Sequence, residues 1–444
     1  METNLIIAVI TGIALLLFLI LRLKINAFIA LLIGSITVGM IAGLNANEII
    51  QTVQDGMGGT LGFVATVVGL GAMFGAILET SGGANAIANF MVSKFGIKRA
   101  PLAMVISGFL IAIPVFFDVA FIILVPMIYA LQRKTKKSLL LYAIPLLAGL
   151  AITHAFIPPT PGPIAVADII GAKLGWVILI GFITGIPTAL VSGLLFGKYI
   201  SKKIHIEAPE EITTTDNSEL PPIGMTLFII GIPIILIVLR TISSSGLLPI
   251  SNGNLLNIID LIGHPFTALI IANILAWYFF GIKRGDTKEE LFRITTKSLD
   301  PAGTIILLTG AGGVFKQVLT NTGAGELLAI SLSNLGFPLL LFAFVSAVIV
   351  RVVQGSSTVA MITAAGLVSP LLLNSSLNPL QLACMVIAIA AGASIFSHVN
   401  DSGFWLVGQY LRITEKQTFK SWTVMTTLLA ITGMLTVSLL YVFI

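Results

Sequence analysis

The stretch "THAFIPPTPGP", residues 153–163, puts four prolines and a glycine directly after the apolar run 139–152. Proline lacks an amide donor and clashes with the preceding turn, so no helix continues through 158–163. Both flanks nevertheless have the composition of membrane-buried helix. Backbone that leaves helical geometry at membrane depth is tolerated only where protein covers it or where it lines a wet cavity. A broken helix over 139–172, facing a polar site, is the reading that reconciles the two.

Composition sets the class around this break. The chain has 444 residues, 57% hydrophobic and 10% charged, against roughly 25% charged in an ordinary soluble protein. Apolar runs of about 18 to 24 residues recur along its length, each able to cross a hydrocarbon core. The fold class is an all-α polytopic membrane protein, with about ten full spans expected. The net charge of +5 comes from basic residues in short loops between apolar runs. Such charges orient a protein in the bilayer, so no nucleic-acid partner is implied. Cys384 is the single cysteine, which excludes an internal disulfide and argues against a cysteine metal cluster. The run 5–21 lacks a basic n-region and a small-residue cleavage site and reads as a retained span.

Basic residues assign sides. Arg22 and Lys24, Lys94 to Arg99, the "QRKTKK" of 132–137, Lys198 to Lys203, Lys283 to Lys297, and Arg412 to Lys420 are expected in the cytoplasm. The stretches around 45–56, 244–260, 321–335 and 374–379 carry little positive charge and belong outside. Segment 101–131 then has both ends inside, so it enters and returns as a re-entrant hairpin turning near "IPVFFDVAF" (113–121). Segment 337–373 has uncharged ends and dips in from outside, turning near "VVQGSSTVA" (352–360).

The chain also repeats. "GLGAMFGAILETSGGA" (69–84) aligns with "GAGGVFKQVLTNTGAG" (310–325), so that Gly69 and Gly310 are 241 residues apart. The first break aligns with the stretch ending "FSHVNDSG", and Gly162 and Gly403 are again 241 apart. Two halves of opposite orientation with interrupted helices are the architecture of secondary transporters. The halves are 1–200 and 221–444, the second with its own broken helix over 380–410. The polar segment 201–220 between them is expected to be a mobile cytoplasmic linker.

Two hairpin tips and two breaks should meet near the midplane. Helix N-termini there present amides and partial positive charge, which suits an anion. Oxygens of Ser356, Ser357, Thr358, Asn400 and Ser402 suit hydroxyls, so the site looks built for a small polyhydroxylated anion. Asp118 lies inside an apolar hairpin, where a charge is costly unless paired or protonated. It either couples a proton or cation, or caps the hairpin tip. Asp401 is a second coupling-ion candidate, or else an N-cap of the helix that follows. His154 and His398 each contact substrate or proton, or tie up loose carbonyls. Arg351 either neutralises a substrate carboxylate or pairs internally with Asp401 or Asp118, and internal pairing is the safer reading. "GLGAMFG" lies in a span, where small residues serve close helix packing rather than a dinucleotide.

"AITHAFIPPTPGP", "VRVVQGSSTVAMITAAG", "FSHVNDSGFWL" and "TFKSWTVM" resemble the signature stretches of the gluconate permease (GntP) family. The resemblance spans essentially the whole chain. It implies uptake of gluconate or a related sugar acid with protons, across the bacterial inner membrane, by an elevator-type movement in a dimer. Carried over, the binding elements are 117–118, 154–163, 355–358 and 397–402. The implied substrate residues are therefore His154, Thr160, Gly162, Gly355, Ser356, Ser357, Thr358, His398, Asn400 and Ser402. The pattern departs at Thr160, where a second histidine is usual, and near Asp118, where a glutamate is usual. A sodium-coupled transporter of another small carboxylate is the alternative, since freed carbonyls also suit Na⁺. No H-E-x-x-H, G-x-S-x-G or Walker A motif is present, so no enzyme, catalytic residue, metal site or cofactor beyond a coupling ion is expected. A channel is disfavoured, because filters use oligomeric symmetry and this repeat is internal.

Overall fold

Lipid offers backbone groups no hydrogen bonds, so each segment must satisfy its own. The computed structural model describes residues 2–208, 220–244, 253–324, 338–372, 375–398 and 401–444, and all its regular structure there is helical. In the first half the helices are α1 (Glu2–Leu21), α2 (Ala27–Ile41), α3 (Ala46–Thr80), α4 (Gly83–Phe95), α5 (Ala100–Ile111) and α6 (Phe117–Thr135). The half ends with α7 (Leu140–Phe156), α8 (Pro161–Ile170) and the long α9 (Leu174–Lys203). The second half opens with α10 (Ile223–Ser244), α11 (Gly253–Ile262), α12 (Pro265–Arg284), α13 (Lys288–Lys297) and α14 (Leu299–Asn321). It continues with α15 (Leu339–Gln354), α16 (Ser357–Leu372), α17 (Pro379–Ser394), α18 (Ser402–Tyr410) and α19 (Glu415–Phe443).

The repeat read from sequence reappears in the element bounds. Pro161 of α8 and Ser402 of α18 are 241 residues apart, as are Leu174 of α9 and Glu415 of α19. The ends of α3 and α14, Thr80 and Asn321, keep the same spacing. Both expected hairpins are helix–turn–helix units, α5 with α6 and α15 with α16, and both expected breaks interrupt helices, α7 from α8 and α17 from α18.

Seven helical segments among the described residues are long and apolar enough to cross a membrane, with six shorter apolar helices beside them. Turns and breaks divide several apolar runs into these shorter helices. In each half the hairpin's first arm packs along the broken helix, α5 on α7 and α15 on α17. Glycine permits this approach: a Cβ on Gly149 would collide with the Val105 carbonyl, and one on Gly392 with the Phe344 carbonyl. Gly75, in the "GLGAMFG" stretch, similarly lets α3 meet the Pro114 carbonyl at the first hairpin's tip.

The linker departs from expectation in its first part. Leu139 donates its amide to the Ile206 carbonyl at 2.8 Å, and Ser138 Oγ donates to the Ile204 carbonyl at 2.7 Å. Ala208 donates to Gln132 Oε1 at 3.2 Å. Residues 204–208 are thus held against the 132–139 turn by its unpaired polar groups, while 209–219 lie outside the described residues.

Candidate functional site

Both hairpin tips border one cavity of about 520 Å³, a size typical of small-ligand pockets. Three helices begin at its wall. The first turn of α6 contributes Phe117, Asp118 and Val119; that of α16 contributes Ser357 and Thr358; that of α18 contributes Ser402 and Gly403. Their leading amides have no intrahelical acceptor, which makes the wall favourable to anions. Hydroxyls of Ser394 and Thr426 and the Trp422 indole complete the polar lining. Trp422 sits in a π-helical stretch of α19, Phe419–Thr423, and its ring lies 5.5 Å from that of Phe117. Two aromatic rings, one from each half, thus give the cavity an apolar side.

The second break is a hydrogen-bonded knot. Asp401 caps α18 by accepting from the Gly403 amide at 3.1 Å, and its other oxygen meets Arg351 Nη2 at 2.5 Å. Ser397 Oγ donates to that same carboxylate and accepts from Trp422 Nε1 at 2.5 Å. The Ser397 amide donates to Thr426 Oγ1 at 3.1 Å, and Thr423 Oγ1 donates to the Ser397 carbonyl. Arg351 Nε donates to the Ile395 carbonyl at 3.3 Å. The Arg351 and Asp401 side chains are 4% and 14% exposed, so the ion pair is held in protein rather than in water.

Asp118 contrasts with Asp401. It is exposed in the cavity wall and has no hydrogen-bond or ion-pair partner among the described residues. Asp401 fulfils both the capping role and the internal pairing with Arg351 weighed from the sequence, which leaves Asp118 as the free carboxylate.

The GntP family permease model matches residues 3–443. The chain belongs to the GntP permease family. It is similar to the low-affinity gluconate transporter of Escherichia coli K12, 40% identical over 443 residues, covering 98% of this chain and 99% of that protein. It is 38% identical over 431 residues to the gluconate permease of Pseudomonas aeruginosa, covering 96% of this chain and 95% of that protein. In fold it resembles the YdaH transporter of Alcanivorax borkumensis, with a TM-score of 0.67 at 14% identity over 93% of this chain and 96% of that one. The protein is therefore a multi-pass inner-membrane permease and not an enzyme.

Within this GntP permease the cavity gathers His154, Gly355, Ser356, Ser357, Thr358, Ser402, Asp118 and Asp401 from the residues singled out in the sequence. Thr160 and Gly162 do not join them. Thr160 Oγ1 donates to the Ile157 carbonyl at 2.6 Å, and Gly162 is buried against the Met361 side chain. Of the first break, His154 and Ala155 line this cavity. The reason lies in the prolines: Pro161 and Pro163 have no amides to offer, so the start of α8 can be buried without a ligand. His398 holds the Val352 carbonyl at 2.8 Å through Nε2 and is not among the residues lining the cavity. Asn400 lies outside the described residues. Ser394, Trp422 and Thr426 were not singled out, although "TFKSWTVM" had marked the stretch that carries Trp422.

Proposed function

We propose that this permease imports gluconate or a closely related sugar acid together with a proton, with Asp118 as the proton carrier. The observation that carries the coupling is the unpartnered Asp118 carboxylate in the same cavity as the closed Arg351–Asp401 pair. With that pair neutral, an ionised Asp118 leaves the wall negative. A substrate carboxylate then adds like charge in a region of low dielectric, and an accompanying proton offsets it. The hydroxyl-lined wall fits a polyol, and both relatives are named for gluconate. Two repeats, each with a hairpin and a broken helix, support alternating access by an elevator-type movement.

The test is transport by full-length protein in liposomes. An inward proton gradient should drive gluconate accumulation, and a sodium gradient alone should not. Asp118→Asn should abolish accumulation yet retain gluconate counterflow, since exchange needs no net proton movement. Sodium-driven accumulation, or normal proton-driven accumulation by Asp118→Asn, overturns the coupling.

A further inference from the structure

Six buried side-chain N or O atoms among the described residues lack a hydrogen-bond partner. Four are Ser or Thr hydroxyls. The other two, His154 Nδ1 and Arg351 Nη1, belong to residues that line the cavity. A hydroxyl rotates to suit its surroundings, but a guanidinium is a planar fork whose donors point in fixed directions. Arg351 has committed Nε to the Ile395 carbonyl and Nη2 to Asp401, and only Nη1 is left over. A buried charged donor without an acceptor is costly, and the second break fixes Arg351 in the arrangement that keeps it so.

We infer that Arg351 receives the carboxylate of the substrate through Nη1 while Asp401 holds the other side of the guanidinium. This rests on the sugar-acid reading above and deepens it by giving the ligand a direction. Three observations agree. Among the described residues that line the cavity, Arg351 is the one cationic side chain. The start of α16, with Ser357 and Thr358, lies six residues beyond Arg351 and adds partial positive charge. Asp118, ionised or carrying the proton, offers a carboxylate no positive charge, so the acid end lies at Arg351 and the polyol extends toward Asp118 and His154. Nη1 is covered in this conformation. Gly355, at φ 91°, gives the hairpin tip beside it the backbone freedom to uncover it.

The test compares gluconate with gluconamide, which keeps the polyol and lacks the charge, by calorimetric titration of purified full-length protein. Wild type should prefer gluconate. Arg351→Gln removes the anchor but leaves Asp401 unpaired, so Arg351→Gln/Asp401→Asn, which leaves neither charge behind, is the decisive variant. It should lose about 10- to 150-fold in gluconate affinity, the equivalent of one hydrogen bond to a charged group. Its gluconamide affinity should stay at the wild-type value. Arg351→Lys, which keeps the charge without the fork, should fall between. If the double variant folds and keeps the wild-type preference for gluconate, the inference is overturned while the sugar-acid reading stands. If wild type binds neither compound, the sugar-acid reading fails and takes the inference with it.

Discussion

Between α7 and α8 the chain crosses residues 157–160, and every residue from Ala155 to Ala167 is buried. Between α17 and α18 it crosses residues 395–401, with Phe396 exposed and His398 and Asp401 half-buried. The first crossing is packed with proline rings and closed by one hydroxyl bond from Thr160. The second carries an ion pair, a capping carboxylate and a serine bonded on both backbone and side chain. Phe396 there takes a left-handed φ of 47°, a conformation that costs a non-glycine residue on the order of 1–3 kcal/mol. A broken helix inside a membrane protein can thus be accommodated by deleting its donors or by satisfying them. Only the second way leaves polar groups within reach of a ligand.

Four substitutions test this contrast. The largest effect is expected from Asp401→Ala, which strands the Arg351 guanidinium and uncaps α18. Breaking a buried pair from one side costs about 3–5 kcal/mol, read as a lower unfolding midpoint in detergent. A loss no larger than that of an ordinary surface change would mean that the pair is solvated and the two breaks are energetically alike. Gly149→Ala and Gly392→Ala come next. Each forces a methyl against a backbone carbonyl of the neighbouring hairpin arm, an overpacking worth about 1–3 kcal/mol. The two should match, because this packing is common to both halves although the chemistry of the breaks is not. Unequal losses would extend the asymmetry to the packing. Thr160→Val should do least, at about 1 kcal/mol for one hydrogen bond, with gluconate affinity unchanged in the same titration. A weakened affinity there would return the first break to the binding site.

The breaks, hairpins and repeat were legible because proline, glycine and charge punctuate an otherwise apolar chain, and those signals are local. The side of each break that faces a cavity is not local. The prolines that mark the first break also remove two of the leading amides of α8, at Pro161 and Pro163, a consequence readable from the sequence. Trp422, Thr426 and Ser394 enter the site from α19 and α17, whose rotation about their own axes is set by packing rather than by either sequence. Arg351 was legible as a choice between internal pairing and ligand contact. The structure shows the pairing and an unused nitrogen beside it, because one guanidinium has donors enough for two acids.

The glycine crossings have a mechanical consequence. Where Gly149 meets the Val105 carbonyl and Gly392 meets that of Phe344, main chain rests on main chain with no side chain between. Side chains can change rotamer and let surfaces slide, but two backbones in register cannot slip without first separating. Each hairpin arm and its broken helix therefore form a rigid cassette. Any large displacement must fall on surfaces outside these crossings.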